Sequence, residues 1–304
     1  MSQLVVLEND FWQIGILPQT GGSIAFGRIR HEDTWYDVMR PTHETDYTNS
    51  SKCASFVMIP WCNRIRDGKF IFEDKLYQFP INFKDGTAIH GIGRDTEWTI
   101  RKHDAGRIEL GMDTRKVKRF FPLPFSAKMD FKLNKNKLVV TLEIKNVGKS
   151  VMPAGFGLHP YFQRTLTNSN DFAKVKLPYA DYFPLEDMMV IGDALPIPKN
   201  AIWDYQRLHL LGDKPLDHIL TGREGAQPIK IQYSHSKREL LIRSDPIFEH
   251  VVVYAPLRQT FFAVEPVTNA NDGFNIMNKG ISRHGVFLLN PQERKKGKIV
   301  FEVK

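Results

Sequence analysis

A chain of 304 residues is long enough to bury a large core, as one big β domain or two ordinary ones. Hydrophobic residues at 42% and charged ones at 25% are ordinary for a soluble globular protein, and eighteen prolines argue against long helices. The formal charge of +8 suits an acidic ligand, but no nucleic-acid reading module accompanies it, so no nucleic acid is expected as a partner.

The first residues, MSQLVVLENDFWQIGILPQTGG, meet acidic side chains before any long apolar run develops, and so do not read as a signal peptide. No segment approaches the ~20 apolar residues of a membrane span, so no membrane is expected as a partner. Cys53 and Cys62 lack zinc-type spacing, and so few cysteines suit a reducing compartment. The expectation is a soluble, cytoplasmic protein.

In chain order, the first polar interruption of the apolar pattern is PWCNRIRDGKF (60–70). Asn63 and Arg64 follow Pro60 and Trp61, which sets amide and guanidinium donors beside an aromatic surface. Such donors suit hydroxyl-rich ligands, since a sugar offers many oxygens and an apolar ring face. Equally, Arg64 and Arg66 read as solvated turn residues pairing with Asp67. The second interruption is AIHGIGRDTEW (88–98), where His90 precedes Gly91 and Arg94 and Asp95 follow. Its Gly-Ile-Gly is a poor phosphate-loop signal, because no helix follows, and His90 also fits a buried structural imidazole. The run Arg115-Lys116-Val117-Lys118-Arg119 alternates like a solvated strand face.

A hairpin follows. Met129, Phe131 and Leu133 alternate with polar residues, NKNK (134–137) turns the chain, and Leu138, Val140, Leu142 and Ile144 resume the period of two. The third interruption, GFGLHPYF (155–162), holds His159 between two glycines and the stiff Pro160, beside Tyr161 and Phe162. HVVVYAP (250–256) and TFFAVEPV (260–267) are continuously apolar, as for strands covered on both faces. In the fourth interruption, FFAVEPVTNANDGFN (261–275), Glu265 lies within that apolar run. A carboxylate there costs free energy unless paired or used, and desolvation raises its proton affinity. Pro266 is expected to end the ladder, leaving Glu265 at the mouth of the sheet. A structural ion pair with Arg64 is the alternative. Arg294-Lys295-Lys296-Gly297-Lys298 reads as a basic turn, and Ile299, Phe301 and Val303 as a last amphipathic strand. Recurring strands without a long amphipathic helix predict an all-β sandwich, as a single domain over 1–304.

Other chemistries find little support. His90, His159 and Glu265 would suit a two-His, one-carboxylate metal site, but no metal motif accompanies them, and none is expected. There is no G-x-S-x-G elbow, and neither cysteine has an adjacent activating histidine.

Taken in order, the four interruptions resemble the aldose 1-epimerase (mutarotase) family, the galactose-mutarotase-like β-sandwich enzymes. The resemblance rests on Asn63-Arg64-Ile65 to Phe70, His90-Gly91, HPYF (159–162) and Glu265 to Thr268. It implies an isomerase in which Glu265 takes the proton of the anomeric hydroxyl and His159 protonates the ring oxygen. The sugar then opens, rotates about C1–C2 and recloses as the other anomer. It further implies that His90, Arg64 and Asn63 hold the ring, and that Asp217, in KPLDHILTG, meets hydroxyls on the far side. An acid and a base on opposite sides of C1 need no metal or organic cofactor. Trp61, Tyr161 and Phe162 are candidate walls that stack on the sugar. Where bacterial members commonly show HxYFNL, this chain has HPYFQR, which keeps the imidazole but alters the subsite governing sugar preference. A small-molecule sugar is the expected partner, and the chain is expected as monomer or homodimer. The +8 charge with Arg64, Arg66 and Arg94 motivates a variant acting on an anionic sugar (a hexose 6-phosphate, or a sulfonated or acidic sugar). A non-catalytic carbohydrate-binding module is the rival of another class.

Overall fold

The computed structural model describes residues 3–116, 121–199 and 201–304. Its regular structure is nearly all strand, as the alternating pattern predicts. One α-helix stands among the described residues, the six-residue Gly273–Asn278. The predicted hairpin forms from Phe125–Asn134 and Lys137–Asn146, with Met129 opposite Leu142 and Phe131 opposite Val140. The C-terminal strand Arg294–Val303 pairs with the hairpin, Phe301 lying opposite Leu138. These strands belong to a nine-stranded sheet that Thr99–Asp104 closes at one edge and His209–Leu210 at the other.

The second large sheet has eight strands. At its centre Leu216–Arg223, His250–Ala255 and Phe261–Val267 lie side by side, all antiparallel. Val251, Val253, Phe262 and Val264 point into a core shared with Phe131, Val140 and Phe301 of the nine-stranded sheet. Val252, Ala263 and Val267 point the other way, into a smaller cluster with Phe56, Cys62 and Tyr161. Both faces of this sheet are therefore covered, which is why its strands read as unbroken apolar runs.

Three local expectations are corrected. The basic run 294–298 is no turn: it is strand, with Lys296 opposite Glu143 and the Arg294 guanidinium 3.8 Å from that carboxylate. Cross-strand carboxylates make those charges tolerable in a ladder. Arg115 and Lys116 lie in a turn after the strand Arg107–Asp113, with Arg115 bound to Asp113 at 2.6 Å, and residues 117–119 fall outside the described residues. Pro266 does not end its ladder, since it lies opposite Val251 and Val267 lies opposite His250. A proline removes only its own donor, so pairing continues on either side of it.

Candidate functional site

Strand register builds the site. On one flank of Phe261–Val267, Gly157 lies opposite Val267 and Tyr161 opposite Ala263. Continuing that register through the break at 159–160 sets His159 opposite Glu265. On the other flank Val252 lies opposite Glu265, and Ile219 opposite Val252. The row two residues along is Tyr161, Ala263, Tyr254 and Asp217. Because strand side chains alternate, both rows project from the outer face of the sheet. Five polar side chains thereby meet there by parity alone: His159, Glu265, Tyr161, Tyr254 and Asp217.

A loop segment carries the rest. Arg64–Ile65 pairs with Ala88–Ile89, and Asn63 and His90 flank this ladder in left-handed conformations with φ of 56° and 63°. The His90 amide donates to the Asn63 carbonyl at 2.9 Å. The Asn63 amide in turn donates to Nδ1 of His90 at 3.2 Å. Gly91 also has positive φ, and a Cβ there would strike the carbonyl of Ile59. Asn269 fixes the segment to the sheet end, accepting from the Cys62 amide and donating to its carbonyl. Gly155 leaves the space that the Asn269 amide occupies.

All six candidates, Asn63, Arg64, His90, His159, Asp217 and Glu265, line one cavity of about 420 Å³. The carboxyl and the imidazole touch: Glu265 Oε1 is 3.1 Å from His159 Nε2. The expected arrangement, with the two facing each other across a sugar-sized gap, is corrected, because a carboxyl only 2% exposed pairs with the nearest polar atom. The Tyr161 hydroxyl approaches the same nitrogen at 3.4 Å, while Nδ1 of His159 is shielded without a partner. Glu265 sits mid-ladder rather than at the sheet mouth. Arg64 pairs with Asp85 at 2.7 Å, not with Asp67 or Glu265, and donates to Asn63 Oδ1 at 3.1 Å.

Burial dominates the electrostatics. It raises the Glu265 carboxyl well above its usual proton affinity, with Asp217 adding and Arg64 opposing. It holds the His159 imidazole well below its ordinary value, and the Arg40 and Arg94 charges push the same way. His90 is likewise held well down by burial, Arg94, His159 and Arg64. Burial lifts Asp217 to about 6 against the pull of Arg64. With His90 neutral and its Nδ1 accepting from Asn63, the ring proton is on Nε2, and His90 is a donor.

Two of the three aromatic wall candidates are core instead. Trp61 stacks on Phe79 at 4.7 Å, and Phe162 packs between Phe262 and Phe301. Only Tyr161 of the three lines the cavity. Arg66 lies along a separate open groove with Lys69 and Lys279. Lys84, Asn82 and Tyr254, which no motif marked, line the cavity. Tyr254 could have been found from strand parity, since it lies two residues from Val252 in HVVVYAP.

A β-sandwich whose outer sheet face holds a buried carboxyl–imidazole pair in a polar cavity defines an acid–base enzyme scaffold. Residues 4–302 match the aldose 1-epimerase family, and the chain belongs to that family, whose members are isomerases interconverting aldose anomers. It is 24% identical over 227 residues to the uncharacterized protein YihR of Escherichia coli K12, covering 72% of this chain and 71% of that one. A galactose mutarotase-like protein from Clostridium acetobutylicum superposes with a TM-score of 0.88 at 18% identity, over 100% of this chain and 95% of the other. A putative aldose 1-epimerase from Escherichia coli K12 gives 0.83 at 20% identity, over 100% and 99%.

Proposed function

We propose that this aldose 1-epimerase interconverts the α and β anomers of a free aldose by acid–base ring opening. Glu265 and His159 are the catalytic pair, and Asn63, Arg64, His90 and Asp217 hold the sugar. The observation that carries this reading is the 3.1 Å contact of Glu265 with His159 in a cavity these other side chains line. The whole chain, 1–304, works as one domain, as monomer or homodimer. Its free, buried cysteines suit the cytoplasm. Among the described residues no helix is long and apolar enough to cross a membrane.

Ring opening takes one proton from the anomeric hydroxyl and gives one to the ring oxygen, both oxygens being bonded to C1. Glu265 as carboxylate accepts the first, and His159 as imidazolium gives the second. The C1–O5 bond breaks and the C1–O1 carbonyl forms. The open-chain stage therefore has a protonated carboxyl and a neutral imidazole, the very form that burial favours for both groups. Desolvation thus favours the proton distribution of the open-chain stage. Closure on the other face reverses both transfers. Because Glu265 and His159 touch, one proton moves between them and supplies either starting form. Neutral His90 donates to a sugar oxygen, and the Asp217 carboxylate accepts from a hydroxyl.

A second reading keeps the chemistry and changes the substrate to an anionic sugar. Arg64, Lys84 and Arg94 line the cavity, and Asp85 and Asp95 pair with the two arginines, while the exposed Lys84 stands at the rim.

The test is anomer equilibration followed by NMR exchange on neutral, phosphorylated and sulfonated aldoses. Glu265→Gln and His159→Asn are expected to lower kcat by roughly 10²–10⁴-fold each while largely sparing affinity. Near wild-type rates in either variant would falsify the role assignments. A preference for charged sugars that fades with salt selects the second reading. Binding without acceleration over buffer would make the chain a carbohydrate-binding module.

A further inference from the structure

Arg40 is a charge this chemistry has not used. It follows the strand Thr34–Asp37, where 38–40 run beside 161–163: Met39 bridges Phe162, and the Arg40 amide donates to the Tyr161 carbonyl at 2.9 Å. Its guanidinium carbon lies 3.8 Å from the Tyr161 ring centroid and 4.6 Å from that of Phe261. One terminal nitrogen donates to the carbonyls of Ser51 and Cys53, and Nε is shielded without a partner among the described residues. The groups that act most on its charge are Tyr161, Cys53 and Tyr254, none of them a carboxylate. Ring faces and carbonyls compensate a half-buried cation only in part, so such a charge persists at a cost in free energy.

What lies beyond Tyr161 gives that cost a purpose. The Tyr161 and His159 rings are 4.5 Å apart, and the Tyr161 hydroxyl reaches Nε2 of His159 at 3.4 Å. Arg40, Tyr161, His159 and Glu265 thus form one continuous stack. We infer that Arg40 is a positioning residue of the acid–base pair, holding the Tyr161 ring against the His159 imidazole and setting an uncompensated positive charge behind it. This rests on the reading of His159 as the acid. A ring oxygen is a weak base, so its donor must release a proton readily. A cation behind the imidazole penalises the imidazolium and so favours that release. The groups facing His159 are Glu265, Tyr161, His90, Arg94 and Arg40, with Asp217, Arg64 and Tyr254 elsewhere around the cavity. Burial, Arg40 and Arg94 all act against the imidazolium. Arg94 lines the cavity, whereas Arg40 does not, so Arg40 can be changed without removing a side chain that lines the cavity.

The experiment compares wild type, Arg40→Met and Arg40→Lys in kcat/KM from about pH 4 to 9. Methionine keeps an apolar contact with Tyr161 but loses the charge. It is expected to move the acid limb up by roughly one pH unit and to lower kcat on the order of tenfold, with KM nearly unchanged. Lysine is expected to hold the limb near its wild-type position. An acid limb that stays in place in Arg40→Met overturns the inference, as does a rise in KM at constant kcat. NMR titration of the His159 ring protons, assigned with His159→Asn, reads the same upward shift in a variant too slow for kinetics. If His159→Asn itself keeps wild-type activity, the acid–base reading fails. If it is inactive and the Arg40→Met limb is unmoved, only the role of Arg40 fails.

Discussion

Asp217 has a proton affinity raised to about 6 by burial, close to the range in which the enzyme would operate. As pH falls through about 6 its carboxylate gains a proton and, in the proposed role, stops being a charged acceptor for a sugar hydroxyl. KM is therefore expected to rise below that pH, and Asp217→Asn to raise KM roughly tenfold and remove the dependence, as read from KM against pH. In the proposed mechanism the Glu265–His159 pair gives the opposite flanks of a bell in kcat. With Glu265 raised and His159 lowered, the one-proton form spans the middle. Activity falls on the acid side when the pair gains a second proton, and on the alkaline side when it loses its last. At this scale the linear chain named Glu265 and His159, because a carboxylate in an apolar run and a histidine between glycine and proline are visible anomalies. Tyr254, Lys84 and Arg40 are not anomalies where they stand in the chain. Their meaning comes from neighbours far away in sequence.

Among elements, the loop joining Asn63 to His90 depends on backbone geometry more than on side-chain contacts. Gly91→Ala places a Cβ against the Ile59 carbonyl at a φ of 68°, so unfolding by urea is expected to show a loss of about 1–3 kcal/mol. Activity should fall with it, since His90 is the adjoining residue. The strand Phe261–Val267 was legible in length and burial, but Pro266 misled as to its end. The lesson is physical: a proline deletes one donor, and whether that donor was wanted depends on the neighbouring strand. The basic run 294–298 misled for a related reason, because its neutralising Glu143 lies on another strand. Aromatic residues misled once more, since Trp61 and Phe162 look like sugar platforms in sequence yet pack as core.

For the whole molecule, the period of two was enough to predict an all-β sandwich, and it correctly placed the central hairpin and the C-terminal strand. Strand order was not legible, because pairings such as Lys137–Asn146 with Arg294–Val303 span more than half the chain. Stability and catalysis should separate at this scale. Phe301 is fully buried between the sheets, near Phe162. Phe301→Ala is expected to cost about 3–5 kcal/mol in urea unfolding. The pH limits of activity at low temperature should stay where they are, because Glu265 and His159, the proposed catalytic pair, project from the opposite face of the cavity sheet.

The two cross-strand rows behave like a reading frame. One residue inserted between Phe261 and Glu265 would turn the carboxyl into the apolar interior and bring Val264 to the cavity, exchanging every assignment at once. Loops such as 82–87 carry no such parity, so a change of length there shifts only what the loop itself carries, Lys84 at the rim and Asp85 beside Arg64. Variation in this protein is therefore partitioned: loop residues around the cavity can drift, while the place proposed for proton transfer is locked to a frame that tolerates substitution but no slip.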